Sequence, residues 1–243
     1  YGGVMASISV HADMSASHLA RHGNPALIEQ YMPSIINGAK VCAVAVTEPG
    51  AGSDVARLKT KAEKVGDRWV INGSKMFITN GVHGDLFMVA ARTDPDAKGS
   101  RGISLFVVEK GTSGFTTSEP LKKTGWLSSD TAQLFFDDVE VPETHLIGEV
   151  NKGFYYVMEG FQLERICIGG QVVGFQKMAL LAPPPTVDAA RLDDDVAAVG
   201  LAVDDHGAEF VRRNAHRHLR PQAAPPMSAP TSTPGDAATG PCR

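Results

Sequence analysis

The pattern of apolar and polar positions changes twice along this chain. In residues 1–40, Met5, Ile8, Ala12, Leu19, Leu27, Ile28 and Tyr31 recur at roughly helical spacing, as one face of an amphipathic helix requires. Gly23-Asn24-Pro25 interrupts the stripe. Pro25 suits the first turn of a new helix, where its missing N–H would have no intrahelical partner. Gly38 ends the helical part, and short apolar or β-branched runs then follow at 41–46, 86–92, 103–109, 115–118 and 132–141. Turn compositions such as Asp94-Pro95, Lys98-Gly99 and Lys110-Gly111 separate them. Residues 66–80 read as a hairpin, with Trp69-Val70-Ile71 as one strand, Asn72-Gly73 as the turn and 75–79 as the return. Asn-Gly is favoured there because a type I′ turn needs positive φ twice. Six or seven short strands at near-regular spacing predict a closed or sandwiched antiparallel unit. Helix resumes near Asn151, where Phe154, Val157, Met158, Phe161, Arg165, Ile168, Val172 and Phe175 keep the period of a buried stripe.

After Leu181 the periodicity stops. Nine of the 15 prolines fall between Pro183 and Pro241, and no Lys follows Lys177. Such a segment cannot bury enough apolar surface to offset its ordering entropy. Residues 183–243 are therefore expected to form a disordered Pro/Ala-rich tail, the product of a frameshift or a misjoined reading frame. The charged runs 193–195 and 212–220 read as solvated. The expected class is α+β, in four parts. These are a partial N-terminal helical domain (1–40), a small antiparallel β-barrel-like domain (41–150), the first helix of a C-terminal helical domain (151–182) and the tail (183–243). Tyr1 in place of Met is expected to reflect a missing natural N-terminus.

Composition narrows the function. A chain 43% hydrophobic and 21% charged is of ordinary globular type. A net charge of −4 gives no reason to expect nucleic acid. No apolar run is long enough to span a bilayer, so stable membrane insertion is not expected. Cys42, Cys167 and Cys242 fit neither zinc spacing nor a disulfide framework. Cys42 and Cys167, each in an apolar run, are read as small core residues, a reducing compartment is expected, and no targeting segment is visible. His11, His18 and His22 lie at helix-compatible intervals without an acidic partner. They are read as packed or solvated side chains, and no metal is expected.

The candidate chemistry centres on Val44-Ala45-Val46-Thr47-Glu48-Pro49-Gly50-Ala51-Gly52-Ser53-Asp54. An apolar strand here runs into a loop broken by proline and opened by two glycines, which admit close backbone approach at little cost. The loop presents N–H groups and the Thr47 and Ser53 hydroxyls to something flat and polar. From composition alone, a plain turn between two strands is the alternative.

Together with Phe77-Ile78-Thr79, Lys122 to Thr131 and Phe135 to Pro142, this stretch resembles the acyl-CoA dehydrogenase family over roughly residues 1–180. The resemblance is to the isovaleryl- and long-chain type. It implies FAD as cofactor, held by Val44, Ala45, Val46, Thr47, Gly52 and Ser53 on one side and by Phe77, Ile78 and Thr79 on the other. Phe77 stands where the family has an indole. The implied reaction is oxidation of a medium- or long-chain or branched acyl-CoA to the trans-2-enoyl-CoA. Electrons would pass to an electron-transferring flavoprotein.

In the same type the base is a Glu on the first helix after the β-domain, directly before an Arg. Gln162-Leu163-Glu164-Arg165 matches that arrangement, which makes Glu164 the candidate base. Without the resemblance, Glu164-Arg165 is a plain surface pair. Ser53, Ser100, Arg101, Tyr155, Gln162, Leu163 and Arg165 are the implied acyl-CoA contacts. The family further implies a homodimer or homotetramer, in the bacterial cytoplasm or the mitochondrial matrix. The family's remaining C-terminal bundle has no matching motif in this chain. An acyl-CoA oxidase, a non-catalytic remnant of the family and a β-barrel binding module are the competing readings.

Overall fold

The computed structural model describes residues 2–181. The first compact unit ends at Ala179. The expected tail, its charged runs at 193–195 and 212–220, and Cys242 lie outside the described residues.

The helical start is broken, as the sequence predicts. Helix α1 (Gly2–Ser9) passes through a π-helical stretch (Val10–Ala16) into α2 (Ser17–His22). After Gly23 a new helix, α3 (Pro25–Ile36), begins with proline in its first turn. The Asn24 side chain caps it by accepting the Leu27 N–H at 3.0 Å, which satisfies one of the free donors of a helix start. Leu19, Leu27, Tyr31 and Ile35 are buried against the sheet.

Eight strands make one sheet: β1 (Cys42–Ala45), β2 (Lys61–Val65), β3 (Arg68–Thr79), β4 (Leu86–Arg92), β5 (Ile103–Glu109), β6 (Phe115–Thr117), β7 (Thr131–Pro142) and β8 (Leu146–Ile147). Their order is β6-β7-β3-β2-β4-β5-β8, with β1 paired to β4. Antiparallel pairing dominates, but β4 takes both β1 and β2 in parallel. These two strands share one edge of β4 in succession, with Cys42 opposite Leu86 and Lys61 opposite Arg92. Strands β4 and β5 match the predicted runs, and all but their last residues are buried.

Alternate residues of β4 and β5 face different cores, as the pleat dictates. Met88, Ala90, Leu105 and Val107 pack towards the helices. Phe87, Val89, Ala91, Phe106 and Val108 pack with Trp69, Ile71, Leu134 and Phe136. The Phe87 and Phe115 rings meet at 4.8 Å although their strands are far apart in the order. The open sheet therefore curls over its own apolar face.

Two expectations need correction. Asn72-Gly73 is not a hairpin turn, because β3 runs unbroken for 12 residues and reverses from β2 at Gly66, where φ is 63°. Gly73 instead forms a bulge against β7. Its φ is 143°, and a Cβ there would stand 2.7 Å from the Thr60 Cα. The Asn72 side-chain Oδ1 accepts the Asp138 backbone N–H at 2.9 Å, which fixes the bulge from the partner strand. The second correction concerns α4 (Gly153–Leu181). Val157 is buried, with Phe154, Met158 and Phe161 packed beside it, but Ile168, Val172 and Phe175 are exposed. The stripe is buried only where the sheet and α2 meet it.

Candidate functional site

The two candidate stretches come together through one backbone bond. The Thr47 carbonyl accepts the Met76 N–H at 2.8 Å, which sets the end of Val44-Ala45-Val46-Thr47 beside Phe77-Ile78-Thr79. A shift in the β3/β7 register between Lys75 and Ile78 takes Phe77 out of the regular pleat. Its φ is 60° and its side chain is 62% exposed. Positive φ is costly for a bulky residue and marks a conformation imposed by its surroundings. Thr47 and Thr79 are half-buried on either side.

Beyond Thr47 the chain makes a tight turn. Glu48 and Ala51 exchange two backbone bonds of 3.1 Å. A Cβ added at Gly50 or Gly52 would meet nothing within 4 Å, so that backbone faces open space. An exposed aromatic face, two hydroxyl side chains beside it and open glycine backbone suit a planar, partly apolar ring with polar edges. The residues present therefore fit the isoalloxazine of FAD.

Three polar residues that organise this region were not singled out from the sequence. Lys75 is fully buried and Glu48 nearly so. The Lys75 ammonium donates to Glu48 Oε1 at 2.8 Å and to the Val46 carbonyl at 3.1 Å. Glu48 also accepts the backbone N–H groups of Lys59, at 2.6 Å, and Thr60, at 2.9 Å. Burial alone would raise the Glu48 pKa, but the Lys75 charge and these donors hold it below the usual carboxylate value. Burial lowers the Lys75 pKa, against the opposing pull of the Glu48 carboxylate. The available sequence signal was a lysine in phase with the inward positions of β3. The third residue is Arg92, whose Nη2 donates to the Ala56 carbonyl at 2.7 Å and the Gly99 carbonyl at 3.2 Å.

Arg92 thereby holds two short turns together, Val55–Arg57 and Gly99–Gly102. Ser53 lies exposed just before the first, and Ser100 and Arg101 lie in the second. The start of α4 packs on the same region. A Cβ on Gly153 would lie 2.4 Å from the Ser104 carbonyl carbon, so only glycine lets the helix approach β5 this closely. Phe154 and Val157 pack in one cluster with Val46, Val55 and Leu58, and Phe161 packs in the same cluster as Val44.

Glu164 lies one turn beyond Phe161 on the same helical face. It is half-buried. Burial raises its pKa, opposed by the Arg165 charge. Leu163 is half-buried, while Gln162 and Arg165 are exposed. Tyr155 precedes Glu164 by nine residues and so projects from the opposite side of the helix. It is exposed beneath the Lys152 ammonium, 5.8 Å from the ring centre. The structure does not bring Tyr155 and Glu164 together.

A separate cleft of about 660 Å³ opens past Thr79, lined by Ser7, Asn80, His83, Lys123 and Asp130. The three histidines have packing roles. His11 Nδ1 accepts the Cys42 N–H at 3.0 Å, His18 is buried beside Gly160, and His22 stacks on Tyr156 at 4.0 Å. Cys42 is buried, its thiol pushed up to about 12 by that burial, and Cys167 is half-buried.

Residues 43–139 match the family described as acyl-CoA dehydrogenase, middle domain. Mitochondrial isovaleryl-CoA dehydrogenase of Pongo abelii is 43% identical over 180 residues, covering 74% of this chain and 43% of that protein. Mitochondrial long-chain specific acyl-CoA dehydrogenase of Rattus norvegicus is 46% identical over 161 residues, covering 66% and 37%. The crystal structure of acyl-CoA dehydrogenase from Geobacillus kaustophilus aligns with a TM-score of 0.65 at 48% identity, covering 66% of this chain and 43% of that one. The chain thus spans less than half the length of these relatives. Residues 43–139 carry the acyl-CoA dehydrogenase middle domain, and over the part it shares with them the chain is similar to acyl-CoA dehydrogenases, which are FAD-dependent oxidoreductases. No described helix is long and apolar enough to cross a membrane.

Proposed function

We propose that this chain carries the flavin wall and the base of an acyl-CoA dehydrogenase acting on medium- or long-chain or branched acyl-CoA. The supporting observation is the Thr47–Met76 backbone bond, which brings both motifs to one surface with Phe77 exposed on it. When bound there, FAD would accept a hydride from the β-carbon of the acyl group. Val44, Ala45, Val46 and Thr47 line the ring edge, Ala45 and Val46 with backbone alone because their side chains are buried; Phe77 covers a face, Ile78, its side chain buried in the sheet core, adds only backbone, and Thr79 bonds the edge. Gly52 lets the backbone approach. Glu164 takes the α-proton as the carbon–carbon double bond forms, which gives the trans-2-enoyl-CoA. Its raised pKa suits a carboxylate that must accept a proton near neutral pH.

Ser53, Ser100 and Arg101, beside the turns that Arg92 joins, contact the acyl-CoA. Tyr155, Gln162, Leu163 and Arg165 extend these contacts along α4. Electrons leave to an electron-transferring flavoprotein. The enzyme works as a homodimer or homotetramer, in the mitochondrial matrix or the bacterial cytoplasm. The deciding experiment is Glu164→Gln in the FAD-loaded protein, followed by exchange of the acyl-CoA α-proton with deuterated solvent. The variant should stay yellow and lose exchange. Exchange at the wild-type rate would refute the assignment of the base.

A further inference from the structure

We propose that the buried Glu48–Lys75 pair is a positioning device that sets the turn carrying Thr47 to Ser53 against β3. It thereby fixes the spacing between the two walls of the flavin site. This inference rests on the FAD reading above. One carboxylate grips the loop between β1 and β2 at both ends: Glu48 belongs to its start, and its oxygens hold the N–H groups of Lys59 and Thr60 at its close. The Lys75 ammonium joins that carboxylate and the Val46 carbonyl to β3, two residues before Phe77. A hydrophobic pair of similar volume could fill the space but could bond none of these groups. Buried ion pairs are weak contributors to net stability, and replacing both partners with apolar residues is often neutral. Position is what the charged pair supplies here and an apolar pair cannot.

The test compares the full chain with Glu48→Leu/Lys75→Met and with Glu48→Gln, which keeps the shape and one acceptor oxygen. Three quantities are read: the thermal midpoint, FAD affinity by titration, and amide hydrogen exchange at Ala51, Thr60 and Met76. The double variant leaves the Lys59 and Thr60 N–H groups and the Val46 carbonyl without their partners, so it should unfold cooperatively at a lowered midpoint, bind FAD about tenfold or more weakly, and exchange faster at those amides alone. A merely structural pair would lower the midpoint, accelerate exchange throughout and leave FAD affinity at the wild-type value. Wild-type affinity with wild-type exchange at these amides would overturn the proposal. If the double variant does not fold, Glu48→Gln decides by the same exchange readout, local acceleration supporting the device and unchanged exchange refuting it. If the wild-type chain itself takes up no FAD, the flavin reading fails. Exchange at Ala51, Thr60 and Met76 then still decides whether the pair positions the loop.

Discussion

The two sides of the proposed site rest on different foundations. The wall formed by β3 and the loop after β1 is fixed from within the chain. It has a buried ion pair beneath it, a backbone bond across it and the curled sheet behind it. Among the described residues, the side formed by α4 is anchored along its first turns, where Phe154, Val157 and Phe161 meet the core. Further along, large apolar side chains stand in the open, with Ile166 74% and Val173 63% exposed. An apolar period shows which face of a helix is fit to be buried, while burial itself needs a second surface. The flavin wall is therefore expected to form in this chain unaided, and the reach of Glu164 depends on what meets the rest of α4.

Mutations sharpen this contrast, the largest effect coming from the sheet. Phe87→Ala removes a fully buried ring from the core beneath β3 and should cost about 3–5 kcal/mol of unfolding free energy, read by denaturant titration. Gly73→Ala forces a Cβ onto the Thr60 backbone at positive φ. It should cost about 1–3 kcal/mol and loosen the loop that Glu48 holds, seen as faster amide exchange at Thr60. Acid should weaken the fold in two steps. Burial lowers His18 and His145 from 6.5, and Glu48 is held below 4.5. Each therefore binds its proton more readily unfolded than folded, so stability falls as pH drops below 6.5 and again below 4.5. A denaturation midpoint that stays flat from pH 7 to pH 4 would contradict this. Val172→Ser, on the open half of α4, should change stability by no more than about 0.5 kcal/mol. A larger loss would mean that this face is covered.

The legible parts of the sequence were those decided locally. Strands β4 and β5 are continuous apolar runs bounded by turn residues, the signature of strands buried on both faces, and their limits matched. Asn24-Pro25 carried its own helix-start chemistry. Asn72-Gly73 carried hairpin chemistry too, but Thr60 and Asp138, distant in the chain, turned it into a bulge. The site divided in the same way. The motifs marked Thr47 and Phe77 to Thr79 as the proposed flavin contacts. Glu48, Lys75 and Arg92 could not be found that way, because the partners that matter most to them, Lys59, Glu48 and Ala56, lie 11, 27 and 36 residues away in sequence and only the folded sheet brings them together. The exposed end of α4 was misread because periodicity carries no information about the surface it would face.

Amide hydrogen exchange of the full chain with and without FAD tests the central claim most directly. The account predicts protection on FAD binding at residues 47–53 and 76–80, with the second half of α4 unchanged. Binding that leaves both β-segments exchanging at the free rate, or that protects the cleft around His83 and Lys123 instead, would contradict it.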